Sequence, residues 1–475
     1  MAERYDVAVI GGGMGGYVAA IRAAQIGLRA AVVEQDRLGG TCLHRGCIPT
    51  KALLQTAALL DSVQHADRLG VRIEGASLDY PAAGRRRDVV VGKLARGVEY
   101  LLKKNRVDVV PGRGRLAGNG RVAVQAGTGD AGEEAEAAVV SELDAGEIIL
   151  ATGSRPRQLP GLSADGRHVL TSDEALTLDR APASAIVVGA GAVGVEFASL
   201  YRSFGAEVTL VEAVDRLVPL EDADIGAELR RGFERRGIRC LVGARLDAES
   251  LERNEGGVAV TVSVEGEEVR LQAELLLNAT GRSANTEDIG LEGTGVAVDG
   301  GVVTAGPDLR TGEAGVRAIG DLVGGFWLAH KAMHEGIIAA ESIAGRAPEP
   351  LNPNLVTRTT YCSPQIASLG LTEAEATAAG HDVGVGVMPL KNHGRAVIWG
   401  ETSGFCKIVA DRSTEDILGV HLVGHEVTEL IYGPALGALL EATPFELSRA
   451  VAPHPTLSEV LSEAALAVSG EAIHI

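Results

Sequence analysis

The chain has 475 residues, 46% hydrophobic and 23% charged, enough for about three domains with sizeable cores and too apolar for global disorder. No apolar run approaches the about 18 residues of a membrane span. A net charge of −19 and only 3% aromatic residues argue against nucleic acid, because the surface repels phosphate and offers few stacking rings.

Residues 7–10 (Val-Ala-Val-Ile) predict a buried strand almost at once. No leader segment is legible before it, so the expectation is a complete cytoplasmic chain. The strand runs into Gly11-x-Gly13-x-x-Gly16, a small-residue helix over 17–25, a second strand over 30–33, and then Glu34. Residues 185–212 repeat the plan: a strand over 186–188, Gly189-x-Gly191-x-x-Gly194, a helix to Phe204, a strand over 208–211, and Glu212. In both copies the acid stands 23 residues after the first glycine. One such glycine motif is weak; two, each between strand and helix and each followed by an acid, predict two dinucleotide-binding βαβ units. The first glycine permits the turn, the second admits a pyrophosphate, and the third lets helix and strand pack. The helix N-terminus attracts the phosphates and the acid accepts from ribose hydroxyls. A carboxylate at Glu212 would repel a 2′-phosphate, favouring NAD over NADP.

Between the copies lies Gly39-Gly40-Thr41-Cys42-Leu-His44-Arg45-Gly46-Cys47-Ile-Pro-Thr-Lys51. The five cysteines, at 42, 47, 240, 362 and 406, are an odd set with one close pair, unlike a secreted disulfide framework. On a regular helix, residues 42 and 47 would have Cα atoms about 8–9 Å apart, beyond the about 7 Å that a disulfide spans. A bonded pair therefore needs an irregular segment near Cys42, and a helix N-terminus there would favour the thiolate. Redox chemistry is the leading reading; buried structural cysteines or half of a zinc site are the alternatives.

Residues 121–146 read as a hairpin excursion from the first unit, with a surface loop over 127–138. The stretches 147–153 and 274–281 each end a strand in a small-residue turn, and 257–275 reads as the second unit's hairpin. A strand over 316–319 runs into Gly320-Asp321, an acid placed for another polyol. Beyond the Pro-rich linker 347–353, strands alternate with helices at 372–379, 426–440 and 456–468, an α+β pattern. There Ala452-Pro-His454-Pro-Thr456-Leu-Ser-Glu459 sets an imidazole near a carboxylate, a natural acid–base unit. Thr456 and Glu459 also read as a capping box opening the last helix.

The segments 39–54 (GGTCLHRGCIPTKALL), 189–197 (GAGAVGVEF), 320–321, 328–331 (LAHK) and 454–459 (HPTLSE) resemble the pyridine nucleotide–disulfide oxidoreductase family, and within it the branch that oxidises dihydrolipoyl groups. The likeness covers nearly the whole chain. It implies an α/β fold of two Rossmann-like domains, for FAD over 1–149 and NAD over 150–273. A central domain over 274–346 would complete the FAD site, and 347–475 would form an α+β dimerisation domain. By the same likeness Cys42 would exchange with substrate and Cys47 would face the flavin. Lys51 would lie near the flavin paired with Glu196. His454, from the other subunit and oriented by Glu459, would take the thiol proton. Gly11, Gly13, Gly16, Glu34, Gly40 and Thr41 would hold FAD, with Gly114, Thr152, Gly153, Ser154 and Asp321, and with Trp327, Leu328, Ala329 and His330. Gly189, Gly191, Gly194, Glu196, Glu212 and Gly281 would hold NAD.

The implied reaction is oxidation of protein-bound dihydrolipoyl groups with NAD⁺, in a homodimer sharing its active sites. The lipoyl group would arrive on an acyltransferase or a lipoyl carrier protein of a 2-oxo acid dehydrogenase or glycine cleavage complex; no metal, nucleic acid or membrane is expected. Three departures from the family pattern are visible: His44-Arg45 replaces the usual Asn-Val, Ala452 stands where a histidine is common, and Arg282-Ser-Ala284-Asn replaces Arg-x-Pro-Asn. A glutathione-type reductase would carry basic residues near Glu212, and a mercuric reductase would carry cysteines beyond Cys406. A flavoprotein scaffold subunit would have no reason to keep Cys42, Cys47, His454 and Glu459 together.

Overall fold

A computed structural model describes residues 3–126 and 139–475. The loop expected over 127–138 lies outside the described residues. The chain packs as two compact units, each discontinuous in sequence. The first comprises Met1–Ala52, Gly84–Arg157 and Arg282–Leu351; the second comprises Leu53–Ala83, Gln158–Gly281 and Asn352–Ile475.

In the first unit a seven-stranded sheet runs in the order Asp108–Pro111, Ala30–Glu34, Glu3–Ile10, Val139–Leu150, Arg121–Gln125, Arg113–Leu116, with Val316–Ala318 also on Val139–Leu150. Val7 and Val9 face one core with Ala19, Ala23 and Ile149; Ala8 and Ile10 face another with Leu116 and Val122. Both faces are covered over residues 7–10, so that stretch is apolar at every position rather than alternating. The expected hairpin is present, but its returning arm and the strand expected to begin at 147 are one element, Val139–Leu150. Its first part pairs antiparallel with Arg121–Gln125, and its last part pairs parallel with Val316–Ala318.

In the second unit a parallel sheet runs in the order Arg239–Leu241, Glu207–Val211, Ser184–Val188, Leu275–Asn278, Val169–Leu170. A three-stranded antiparallel sheet of Ala244–Asn254, Gly257–Val264 and Glu267–Ala273 covers one face, with Val258, Val260 and Val262 against Ile186 and Val188. On the other face the helix Ala192–Ser203 packs Phe197 and Tyr201 into a core that also takes in Cys362, Ile366 and Val423. The last two belong to a five-stranded antiparallel sheet of the C-terminal segment. An ion cluster around the buried Lys407 joins the same parts: its Nζ lies 2.9 Å from the buried Asp222 and 2.7 Å from each of Asp224 and Glu373, which are largely exposed.

The glycine-turn helix begins earlier than expected, as Met14–Gln25, with Gly13 as its N-cap. The helix expected over 426–440 splits into a short 3-10 turn, Val427–Glu429, and Tyr432–Leu439. Pro434 lacks an amide hydrogen and fits only a helix's first turn, which is where it stands. The last helix is Glu459–Val468, three residues shorter than expected at its start. The capping box is half formed: Glu459 Oε2 accepts the Thr456 amide at 3.0 Å, but the Thr456 hydroxyl donates to Pro453 O at 2.7 Å instead of capping.

Candidate active site

The two glycine turns have the same geometry. A Cβ on Gly16 would lie 1.9 Å from Gly11 O, and one on Gly194 would lie 1.8 Å from Gly189 O, so the third glycine of each motif lets the helix touch the strand end. The second glycine is different: a Cβ on Gly13 would meet only the Gly40 Cα at 4.0 Å, and one on Gly191 nothing within 4 Å. Each turn thus leaves an open cradle at a helix N-terminus, where backbone amides and the helix dipole favour phosphate. Glu34 and Glu212 also match. Glu34 Oε2 accepts the Gly12 amide at 2.7 Å and its Oε1 that of Asp36 at 2.8 Å. Glu212 takes Ala190 at 2.6 Å and Val214 at 3.0 Å. These carboxylates hold the turn while their remaining lone pairs stay available to a ribose. The chain therefore carries residues that fit two dinucleotides, one in each unit. Gly281, with φ +122°, follows Thr280, whose hydroxyl donates to Asn278 at 2.8 Å.

The cysteine segment packs on the first cradle: Gly39 bridges to Gly13, and its amide donates to Gly12 O at 2.8 Å. Gly40, Thr41 and Cys42 open a short helix, Gly40–Arg45, which breaks at Gly46. Cys47 then begins the helix Cys47–Gln64, which carries Lys51 on its second turn. The expected irregularity near Cys42 falls at Gly46, between the two helices, and it brings the two thiols together. Both are reduced, partly buried thiols, hydrogen-bonded to each other through their side chains. That bond and then burial push the Cys42 thiol well above its usual range, against the pull of the Lys51 ammonium. Cys47 heads the long helix, whose N-terminal field favours negative charge there.

The remaining first-unit residues frame the same cradle. Thr152 Oγ1 donates to Asn285 O, and Asn285 Nδ2 donates back to Thr152 O, both at 2.8 Å, which fixes Thr152, Gly153 and Ser154. The Ser154 hydroxyl donates to Asp321 and receives Arg282 Nε at 2.7 Å. Gly114 lets its strand close on Ile10, whose Cγ2 would lie 3.0 Å from a Cβ. Trp327 and Leu328 are half-buried and lead into the helix Ala329–Ile343, on which Ala329 and His330 are first and second.

One residue here escaped sequence reasoning. Glu335 is buried; its Oε2 accepts the Gly320 amide at 2.7 Å and its Oε1 lies 2.8 Å from Lys331 Nζ. Lys331 Nζ donates to Gly320 O at 3.3 Å, so the pair grips both polar groups of the residue before Asp321. The four-residue Lys–Glu spacing was the available signal.

In the second unit His454 is exposed, and its Nδ1 lies 2.8 Å from Glu459 Oε1. Burial would raise the Glu459 carboxyl, but the His454 hydrogen bond, the Thr456 amide and two nearby imidazoles bring it below the usual range. The second imidazole, His393, gave no sequence signal. Glu196 is buried in the helix Ala192–Ser203 and accepts the Tyr361 amide at 2.9 Å. Lys51 belongs to the first unit and Glu196 to the second. Among the described residues no group of His, Cys, Asp or Glu is placed to hold a metal ion, and no helix is long and apolar enough to cross a membrane.

Residues 5–336 match the model of the pyridine nucleotide-disulphide oxidoreductase family, and 356–465 match that family's dimerisation domain. The chain is 47% identical over 481 aligned residues to a dihydrolipoyl dehydrogenase of Bacillus subtilis and 42% identical over 482 to one of Rhizobium etli, each covering 100% of both chains. Among solved structures, LpdA of Mycobacterium tuberculosis superposes with a TM-score of 0.88 at 30% identity, covering 98% of this chain and 99% of that one. The flavoprotein disulfide reductase RclA of Escherichia coli superposes at 0.83 and 26%, with the same coverage. With a family model spanning most of its length and relatives aligned end to end, the chain belongs to the pyridine nucleotide–disulphide oxidoreductase family.

Proposed function

We propose that this chain is a dihydrolipoyl dehydrogenase, a flavoenzyme that oxidises protein-bound dihydrolipoyl groups with NAD⁺. The observation that carries the reading is the pair of touching thiols, Cys42 and Cys47, seated on a dinucleotide cradle. FAD belongs to the first unit, whose segments Met1–Ala52, Gly84–Arg157 and Arg282–Leu351 carry most of the proposed FAD domain 1–149 and central domain 274–346, the latter supplying Asp321. NAD belongs to 150–273, and 347–475 forms the dimer. Tyr432, Leu439, Leu440, Phe445 and Val451 of that last segment are exposed, as an apolar face awaiting a second subunit would be.

His454 of the partner subunit takes the proton from one dihydrolipoyl thiol, and Glu459 stabilises the imidazolium. The resulting thiolate attacks Cys42 Sγ of the Cys42–Cys47 disulfide, and Cys47 leaves as a thiolate at its helix N-terminus. The second substrate thiol, deprotonated in turn, attacks the substrate sulfur of the mixed disulfide and releases Cys42. Substrate leaves as the cyclic disulfide and the enzyme holds the dithiol. FAD, when bound, supplies the two-electron relay from that dithiol to NAD⁺. Lys51 presents a positive charge beside the dithiol. The lipoyl group comes on another chain, an acyltransferase or lipoyl carrier of a cytoplasmic multienzyme complex.

The test is direct: the purified, FAD-loaded protein is mixed with dihydrolipoamide and NAD⁺, and NADH is followed by absorbance. Rapid NADH formation supports the reading. Inactivity there, with NADPH-dependent reduction of another disulfide, overturns it.

A further inference from the structure

Glu459 has two carboxylate oxygens, and only one is used by the acid–base pair. Oε1 holds His454 Nδ1 at 2.8 Å. Oε2 accepts the Thr456 amide at 3.0 Å and faces His393 Nε2 at 3.6 Å, an electrostatic rather than a direct hydrogen-bond distance. His393 is buried, 7% exposed, and sits between a short 3-10 turn, Leu390–Asn392, and the helix Gly394–Trp399. Its Nδ1 is buried without a hydrogen-bond partner.

That orphan nitrogen decides the tautomer. A buried N–H without an acceptor costs more than a lone pair without a donor, so the proton belongs on Nε2, the nitrogen aimed at Glu459. We infer that His393 is a positioning residue for the acid–base pair, its Nε2–H drawing on the second oxygen of Glu459 and so limiting how strongly that carboxylate holds the His454 imidazolium. This rests on reading His454 and Glu459 as the proton-handling pair.

The surroundings agree. Burial lowers the His393 imidazole from its ordinary value, with His454 acting in the same sense, while Glu459 and Glu463 oppose. Glu463 is itself engaged by His474 Nδ1 at 2.8 Å and by the amides of Ile473 and His474. On the segment of His393, Lys391 is exposed and Arg395 stacks on Trp399, its guanidinium carbon 4.3 Å from the ring centroid. The group that His393 Nε2 faces, at 3.6 Å, is the carboxylate of the pair. An imidazole in this place weakens rather than reinforces the Glu459–His454 attraction, which keeps the base from being trapped in its protonated form.

The experiment is the pH profile of kcat/KM for dihydrolipoamide oxidation by the FAD-loaded dimer of the unmodified chain and of His393→Ala, His393→Leu and His393→Gln. Without the Nε2–H, Glu459 holds the imidazolium more tightly. His393→Ala should then move the acid limb to higher pH, a loss of roughly 2- to 5-fold on the acid side, as expected for an electrostatic contact longer than a hydrogen bond, with the alkaline plateau kept. His393→Leu keeps the volume without polar atoms and should do the same, which guards against a collapse in the alanine variant. His393→Gln places a neutral donor near the Nε2 position and should restore the original limb. In a Glu459→Gln background none of the three should move it. The ring-proton titration of His454 followed by NMR in the same variants reads the pair without substrate. An unmoved His454 midpoint in both His393→Ala and His393→Leu, or a uniform fall in kcat at every pH, overturns the inference. A midpoint that moves in a protein without dihydrolipoamide turnover overturns only the functional reading.

Discussion

Gly40 lies so close to Gly13 that a Cβ on it would stand 2.7 Å from the Gly13 Cα, and its φ is +59°. The contact joins the redox segment to the phosphate cradle through backbone alone. Gly40→Ala must either push the segment off or strain a left-handed residue, a cost of at least about 1–2 kcal/mol. The expected outcome is a lower thermal midpoint together with less FAD retained per chain. Gly97→Ala is the control. A Cβ on Gly97, inside the helix Tyr80–Lys104, meets nothing within 4 Å, so it should be stabilising by about 0.5–1 kcal/mol. Equal effects of the two substitutions would contradict the close approach.

Cys42→Ser and Cys47→Ser should each abolish dihydrolipoamide oxidation while FAD stays bound. The red-shifted absorbance of the two-electron-reduced enzyme should vanish only with Cys47, the sulfur heading the long helix. Turnover at the unmodified rate in either variant would refute the dithiol mechanism.

Cofactor choice should follow Glu212. NAD⁺ should exceed NADP⁺ in kcat/KM by the equivalent of several kcal/mol, because a 2′-phosphate would face a carboxylate. Glu212→Gln should narrow the gap. Because Glu212 also receives the Ala190 and Val214 amides, this variant should bind NAD⁺ somewhat more weakly as well. Equal use of both nucleotides by the unmodified chain would remove Glu212 from the site.

Lys407 is 2% exposed and its cation satisfies Asp222, itself 3% exposed. Burial would lower the ammonium, but its three carboxylate partners raise it above the usual range; Asp222, pushed up by burial, is brought below the usual range chiefly by Lys407. Lys407→Met should cost about 3–5 kcal/mol, the usual penalty for stranding a buried partner. The sign of the pH effect follows from the depressed carboxyl. Its contribution is present above the unfolded aspartate pKa of about 3.9 and is lost as pH falls through the lower folded value. Denaturant unfolding from pH 7 downward should therefore show the gap between variant and parent closing only in acid. A constant gap would contradict the assignment.

His454→Gln should lower kcat by about 10²–10⁴-fold, the range for a general base, with the flavin spectrum unchanged. Mixing it with Cys42→Ser under subunit exchange should restore up to about one quarter of full activity if base and thiols come from different subunits, from random pairing in a two-fold dimer. No recovery, with exchange verified by mass spectrometry, would mean that each site is built from one chain.

Much of this was legible locally. The strand–glycine–helix–acid pattern at Gly11–Glu34 and at Gly189–Glu212 reads directly because each feature is short-range: a turn needs room, a helix end attracts phosphate, and an acid follows at a set distance. The cysteine segment was legible for the same reason, with the break between its two helices at Gly46. Element ends were less so. Thr456 prefers the Pro453 carbonyl to capping, and Pro434 restarts a helix that apolar spacing had drawn as continuous.

What only tertiary structure decided are pairings between distant positions. Asn285 ties Thr152 across 133 residues, and Lys407 reaches Asp222 across 185. Val139–Leu150 serves as both a hairpin arm and a parallel strand. Glu335 shows the same limit at short range. Its spacing from Lys331 was visible, but not that both would close on Gly320. His393 shows it most fully. It is an unremarked histidine 66 residues before Glu459 in sequence, and only the packing of two C-terminal segments brings its Nε2 to 3.6 Å from that carboxylate. Local chemistry is written in local spacing; a buried polar group finds its partner only when the chain folds, because burial itself makes the pairing necessary.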